Sequence, residues 1–351
     1  MGHQHRKTEL NLKYGEMQIR SRIFEKYSNY RFKIPLTDGD KVVAKEGNVN
    51  VGDILFEKLN YPLKKTINVS KALGCRANES ENYMLKLDGE YVEKGEIIAR
   101  KTSSGKLNIL QLISPVSGVI DLERIKNGYV DILGEQTYSV VKSDFTGVIE
   151  SIDPINGLVI NTNVVAIDGV VSSNSKEKIF GKLEILGDGY TILNENGIGQ
   201  DYRGKIVWVG PYLYDRVAAE LFERGAVGII TYAMSYEQFR ELGLPILILG
   251  GFGFVHCDNE FLKKFLEFKD KFVMVDMEEN QLFVISDSDI RNKEWFVTQY
   301  INQKVISRSV STYGYIGNVI DWEPDTSSVL VDFGKRGRSL MNIGLVDFID
   351  L

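Results

Sequence analysis

The chain is poor in the residues from which most catalytic and metal sites are made. It has two cysteines, Cys75 and Cys257, and three histidines in 351 residues. Two cysteines so far apart give no disulfide framework and point to a reducing compartment, so a cytoplasmic location is expected. His3 and His5 belong to the N-terminal tail, which leaves His256 alone in the body. A His-rich metal site or a His-based triad therefore has little to build on, and no metal, cofactor or catalytic residue is expected. No apolar run approaches the ~20 residues that cross a bilayer, so no transmembrane segment is expected. The N-terminus, MGHQHRKTEL, has no apolar signal core, and Arg6 stands where a myristoylation site needs Ser or Thr.

What is present is ordinary for a soluble globular chain: 43% hydrophobic and 26% charged residues, with a net charge of −6. The length predicts two to four domains. The 33 glycines fall mostly between short apolar runs, as β-rich structure with tight turns requires. Residues 1–35 form a basic arm. Arg6, Lys7, Lys13, Arg20, Arg22, Lys26, Arg31 and Lys33 outweigh Glu9, Glu16 and Glu25, with Tyr14, Tyr27 and Tyr30 interleaved. Such an arm suits nucleic acid, anionic lipid or an acidic partner, or a solvated leader packed on its own domain.

A pattern recurs over residues 36–143. Asp40 to Leu55 and Asp88 to Ala99 share a charged turn, a valine, a glycine, an acid and an aliphatic pair. The second copy leads to Ser114-x-x-x-Gly118-Val119-Ile120. Gly47, Gly52, Gly89 and Gly95 stand where a strand must turn with positive φ. Short helical turns are expected after Ser70 and Asn78 as N-caps. A third echo, Ser143-x-x-x-Gly147-Val148-Ile149, opens a hairpin-rich connecting region, 144–200, with Asn156-Gly157 as a turn.

From 201 to 286 the rhythm changes. Apolar strands at Lys205–Gly210, Val227–Tyr232 and Pro245–Leu249 alternate with helical spacing at Asp215–Arg224, Tyr236–Leu242 and Glu260–Lys269. This predicts a small α/β domain with a mainly parallel sheet covered on both faces. Residues 287–302 read as a linker, and 303–351 as short strands of a small barrel.

Five patterns invite chemistry. Lys106 lies near a hairpin tip, where a carrier domain would bear its modified lysine. Gly250, Gly251 and Gly253 follow a strand as a phosphate loop would, but without G-x-G-x-x-G spacing; a tight strand-to-helix turn explains them equally. Cys257 beside His256 is a thiol–base pair in sequence, though neighbours on a strand point to opposite faces. Lys335, Arg336 and Arg338 on one loop, with Tyr313, Tyr315 and Trp322 nearby, offer cations and stacking faces for nucleic acid, or a solvated hairpin tip. Finally, Gly204 to Val209 and Ala218 to Ile230 carry the string of swivelling β/α modules, which bind or gate, and equally that of generic α/β core.

The repeat resembles the biotinyl/lipoyl-like hybrid barrels, and the order of segments is similar to that of a family of uncharacterised bacterial multi-domain proteins. That resemblance implies a multi-domain, β-rich α+β chain: a barrel-sandwich hybrid, a small α/β module and an SH3/KOW-like C-terminal barrel. It implies no activity. Lys106 lacks the Met-Lys-Met or Asp-Lys-Ala setting of carrier lysines. The expected function is non-enzymatic binding or scaffolding, with a protein partner or self-assembly. The alternatives are a nucleic-acid- or ribosome-associated factor, or an enzyme or nucleotide sensor built on 201–286.

Overall fold

The structure, a computed structural model, describes residues 22–36, 38–60, 62–102, 109–153, 157–173, 178–199, 201–286, 297 and 299–350. The chain begins with β1 (Ile23–Ile34), β2 (Lys41–Val42), β3 (Gly47–Val49) and β4 (Ile54–Asn60). Next come β5 (Leu63–Asn68), helix α1 (Val69–Leu73), β6 (Tyr91–Val92), β7 (Ile97–Thr102), β8 (Ile109–Ile113), β9 (Gly118–Asp121) and β10 (Tyr129–Leu133). β11 (Thr137–Lys142), β12 (Gly147–Asp153) and β13 (Gly157–Asp168) follow.

These strands trace one path twice. β1, β13, β12 and β3 pair antiparallel in that order, and β4 pairs with β11. Likewise β5, β10, β9 and β6 pair in order, and β7 pairs with β8. The second set lies wholly between β4 and β11, at the tip of the outer hairpin. One copy is therefore nested inside the other.

The turns repeat bond for bond. The Gly52 N–H donates to the Ser143 carbonyl and the Ser143 N–H to the Asp53 carbonyl, both at 2.8 Å. The Gly95 and Ser114 N–H groups bond the Ser114 and Glu96 carbonyls at the same 2.8 Å. Each serine hydroxyl bonds the carbonyl two residues on, Phe145 at 2.7 Å and Val116 at 2.6 Å. Gly52 and Gly95 have φ of 94° and 95°, the positive values the turns require.

This arrangement corrects two expected boundaries. Ser143 to Ile149 is the closing half of the outer copy, so a division at 143/144 would cut one unit. Residues 23–34 are not an arm: β1 pairs with β13 from Ile23 opposite Ile167 to Ile34 opposite Leu158. Phe24, Phe32 and Ile34 are buried along it, which outweighs the cations between them. Residues 1–21 lie outside the described residues. The outer core joins Phe32, Leu55, Phe56, Phe145 and Ile160 to Met274, Phe283 and Ile285. The inner core joins Val69, Leu73, Val92, Ile98, Ile120, Val130 and Ile132. Asn68, not Ser70, caps α1, its side chain accepting from the Lys71 N–H at 2.8 Å. Asn78 lies within a 3-10 turn, Ala77–Tyr83.

The α/β part contains β14 (Val171–Ser172), β15 (Lys178–Ile185), β16 (Lys205–Trp208), α2 (Asp215–Glu223), β17 (Gly228–Met234), α3 (Tyr236–Leu242), β18 (Ile246–Phe252), α4 (Asn259–Leu266), β19 (Phe272–Asp276) and β20 (Gln281–Ile285). β15 to β18 are parallel neighbours, as the fully apolar strands predict. Alternate residues face alternate helices. Val207, Ile229 and Ile248 pack with Val217, Leu221 and Phe222 of α2. Ile206, Trp208, Ile230 and Leu249 pack with Phe261, Leu262 and Phe265 of α4.

The sheet does not stop at 201. β15 supplies its first parallel strand, and β19 and β20 carry it into β13 of the outer copy, making eleven strands continuous. Joining the two units leaves neither β20 nor β13 as an open edge.

The inner copy is fastened to α2. Arg124 binds Asp131 through Nε at 2.9 Å and a second nitrogen at 2.7 Å, and donates to the Phe222 carbonyl. Both side chains of the pair are about nine-tenths buried, at 11% and 9% exposure. Tyr129 enters the core beneath α2, where burial and then Glu223 push its phenol up to about 12.

The C-terminal unit has five strands: β21 (Lys304–Ser307), β22 (Ile316–Glu323), β23 (Ser328–Asp332), β24 (Arg338–Asn342) and β25 (Val346–Phe348). They pair in the order β24, β23, β22, β21, β25 around Val305, Val319, Val329, Val331 and Phe348. Of the expected linker, residues 287–296 and 298 lie outside the described residues. Val297 and Tyr300 pack on this core, and Tyr300 lies edge-on to Trp322 at 4.8 Å. The start of β1 meets the end of this unit: the Arg22 N–H donates to the Phe348 carbonyl at 3.1 Å, and the Asp350 N–H to the Ile23 carbonyl at 2.9 Å. No helix among the described residues is long and apolar enough to cross a membrane.

Candidate binding surface at the carboxyl end of the parallel strands

The parallel strands end together, the place where open α/β sheets most often bind ligands. Gly250, Gly251 and Gly253 are at the end of β18 and just past it. A Cβ at Gly250 would fall 2.3 Å from the Tyr232 ring, so glycine there lets the strand lie flat beneath Tyr232. The Gly253 N–H is spent on the Met234 carbonyl at 2.9 Å. The Gly250 carbonyl accepts from the Tyr313 hydroxyl at 2.6 Å and from Arg308 at 3.4 Å.

Asp258 caps α4, its carboxylate accepting from the Glu260 N–H at 2.9 Å and the Ile316 N–H at 3.4 Å. An acid thus stands where a phosphate would sit at a helix start. The glycines act as a packing turn.

Two candidate groups that are far apart in sequence meet at this seam. Tyr313 of the C-terminal unit packs against the glycine turn, and Tyr315 and Arg336 pack against His256 just past it. The Arg336 guanidinium lies 3.8 Å above the Tyr315 ring and 3.3 Å from His256 Nε2. The His256 ring is edge-on to Tyr315 at 4.5 Å. Burial, then the Arg336 charge, lower the His256 pKa against the pull of Asp258, 3.8 Å from the same nitrogen. Arg338 pairs with Asp332 at 3.1 Å. Lys335 is exposed on the 3-10 turn Gly334–Arg336.

The surroundings of Cys257 disfavour a thiolate. Burial, then Asp258, push its thiol well above the usual value, and the neighbouring imidazole is engaged by Arg336 and Tyr315. Tyr232 is buried with its hydroxyl unpartnered, and burial raises its pKa. Lys106 lies outside the described residues. Among the described residues no group of three or more His, Cys, Asp or Glu is placed to hold a metal.

One surface was missed at the sequence level. Phe254 follows the glycine turn, is 75% exposed, and stacks on Tyr212 at 4.3 Å with 10° between the planes. Tyr214 stands edge-on to Tyr212 at 5.1 Å. Tyr236, 53% exposed, lies against Phe252 at 5.1 Å. The strand ends of β16, β17 and β18 each contribute an aromatic residue. The signal was an aromatic residue between each strand and the first turn of the helix after it: Tyr212 and Tyr214, then Tyr236 at the start of α3, then Phe254.

Compared with models of known protein families, the chain matches none. Compared with curated proteins, it also finds no match.

Proposed function

We propose that this chain is a non-enzymatic, cytoplasmic binding or scaffold protein whose partner docks on the aromatic surface around Phe254. The observation that carries the reading is a stacked, three-quarters-exposed phenylalanine at the carboxyl edge of a parallel sheet. Exposed aromatic clusters of this kind anchor protein interfaces, because they bring large area with few rotors to order. The nested strand order supports reading both copies as biotinyl/lipoyl-like hybrid barrels used as scaffold. The order β24, β23, β22, β21, β25 supports an SH3/KOW-like tail.

Nucleic-acid binding through Lys335, Arg336 and Arg338 is the weaker reading, because Arg336 and Arg338 are engaged within the chain. Capture from native lysate, with nuclease, tests the proposal. A species retained saturably by the full chain and by Val310→Ala, but lost with Phe254→Ala, supports it; Val310 is exposed elsewhere, on the C-terminal unit. Retention unchanged by Phe254→Ala overturns it. Retention that falls steeply with salt and is abolished by nuclease favours the nucleic-acid reading.

A further inference from the structure

β8 reads Ile109, Leu110, Gln111, Leu112, Ile113, the same in both directions. Among the described residues its only strand partner is β7, so its other edge is open. Leu112 turns inward and packs with Val69 and Leu73. Ile109, Leu110 and Ile113 remain exposed, at 56%, 48% and 50%. Natural proteins usually guard such an edge with lysine, proline or a bulge. The strand contains neither lysine nor proline, and its pairing with β7 is regular from Ile109 to Leu112, the one irregularity lying on β7 between Ile97 and Ala99. The corresponding outer strand, β11, differs: it ends in Lys142 and is not self-complementary.

We propose that β8 pairs antiparallel with β8 of a second copy of this chain, about a two-fold axis through Gln111. Only a strand palindromic about its centre presents the same row of side chains to itself in that orientation. Ile109 then faces Ile113 of the second copy, and Leu110 faces Leu112. Because the strand carries no charge, self-pairing opposes no like charges. A two-fold contact of this kind is isologous and closes at two chains. Five residues a side fall well short of the roughly 20–30 of a standard interface, so the dimer is weak and reversible. This surface is separate from the Phe254 surface, and the two proposals fail independently.

Sedimentation of the full chain over roughly 1 to 200 µM, a range that brackets a weak Kd, tests it. The weight-average mass rises from 39.7 kDa toward twice that. Ile109→Lys with Ile113→Lys sets cation against cation across the axis and holds the chain monomeric. Ile109→Lys with Ile113→Glu sets opposite charges against each other and restores the dimer, a rescue specific to this register. Matching thermal melts of the two variants confirm that both fold. A chain monomeric throughout, self-association that survives the double-lysine change, or a charge-swapped variant as monomeric as the double lysine overturns the proposal.

Discussion

Gly314 has a φ of +80°, and a Cβ there would fall 1.9 Å from the His256 carbonyl oxygen. Neither backbone can yield without lifting the C-terminal unit from the glycine turn. Gly314→Ala is therefore expected to cost about 3 kcal/mol in thermal unfolding. Gly243, with φ of +61° and ψ of 18° in the left-handed helical region and open space around it, serves as the comparison. Its alanine variant loses only about 1 kcal/mol, from backbone strain.

Asp144 behaves differently. Its carboxylate is partly buried, and burial raises its pKa while Lys182, Lys271 and the backbone N–H groups of Asp144 and Phe272 pull it down. A raised acid binds its proton more tightly folded than unfolded. Its penalty is thus absent below the ordinary value of about 3.9 and grows as pH rises through the folded value. Asp144→Asn should stabilise the chain by about 1 kcal/mol or less at neutral pH, and not at all near pH ~3, as melts across pH will read. Nothing in the sequence marked either residue. Gly314 is one glycine among 33, and the groups that act on Asp144, Lys182 and Lys271 among them, come from far along the chain.

At the scale of elements, much was legible. The helix Tyr236–Leu242 lies where its spacing and Gly243 put it, with Gly243 at φ 61°. The parallel strands of 205–252 fall within a few residues of their apolar runs, because a doubly covered sheet demands continuous apolar sequence, and those of 304–348 show instead the alternation of a sheet buried on one face. The echo at Ser143 was visible too, but not its role: pairing across 90 residues leaves no local trace. Arg124 was wholly hidden, one cation in a polar turn until Asp131 and the Phe222 carbonyl are brought beside it. Its variant tests whether the inner copy is fastened to α2. Arg124→Ala strands a buried acid and is expected to cost about 3–5 kcal/mol by denaturant unfolding. Arg124→Met combined with Asp131→Leu removes both charges and should cost much less.

At the scale of the molecule, the repeated strand order describes two units, one set in the hairpin tip of the other, which the proposal reads as biotinyl/lipoyl-like. The tip of such a hairpin is where a carrier would present its lysine. In the outer copy that place is filled by the inner copy, and a filled tip suits a scaffold better than a swinging arm. Replacing residues 61–136 by Asn-Gly tests this nesting most directly, since Asn60 and Thr137 are opposite partners that a two-residue turn can join. The outer copy is complete without the insert. The shortened chain should keep its β-rich circular dichroism and melt cooperatively, at a lower temperature because α2 loses its cover. A shortened chain with the spectrum of an unfolded protein would contradict the account.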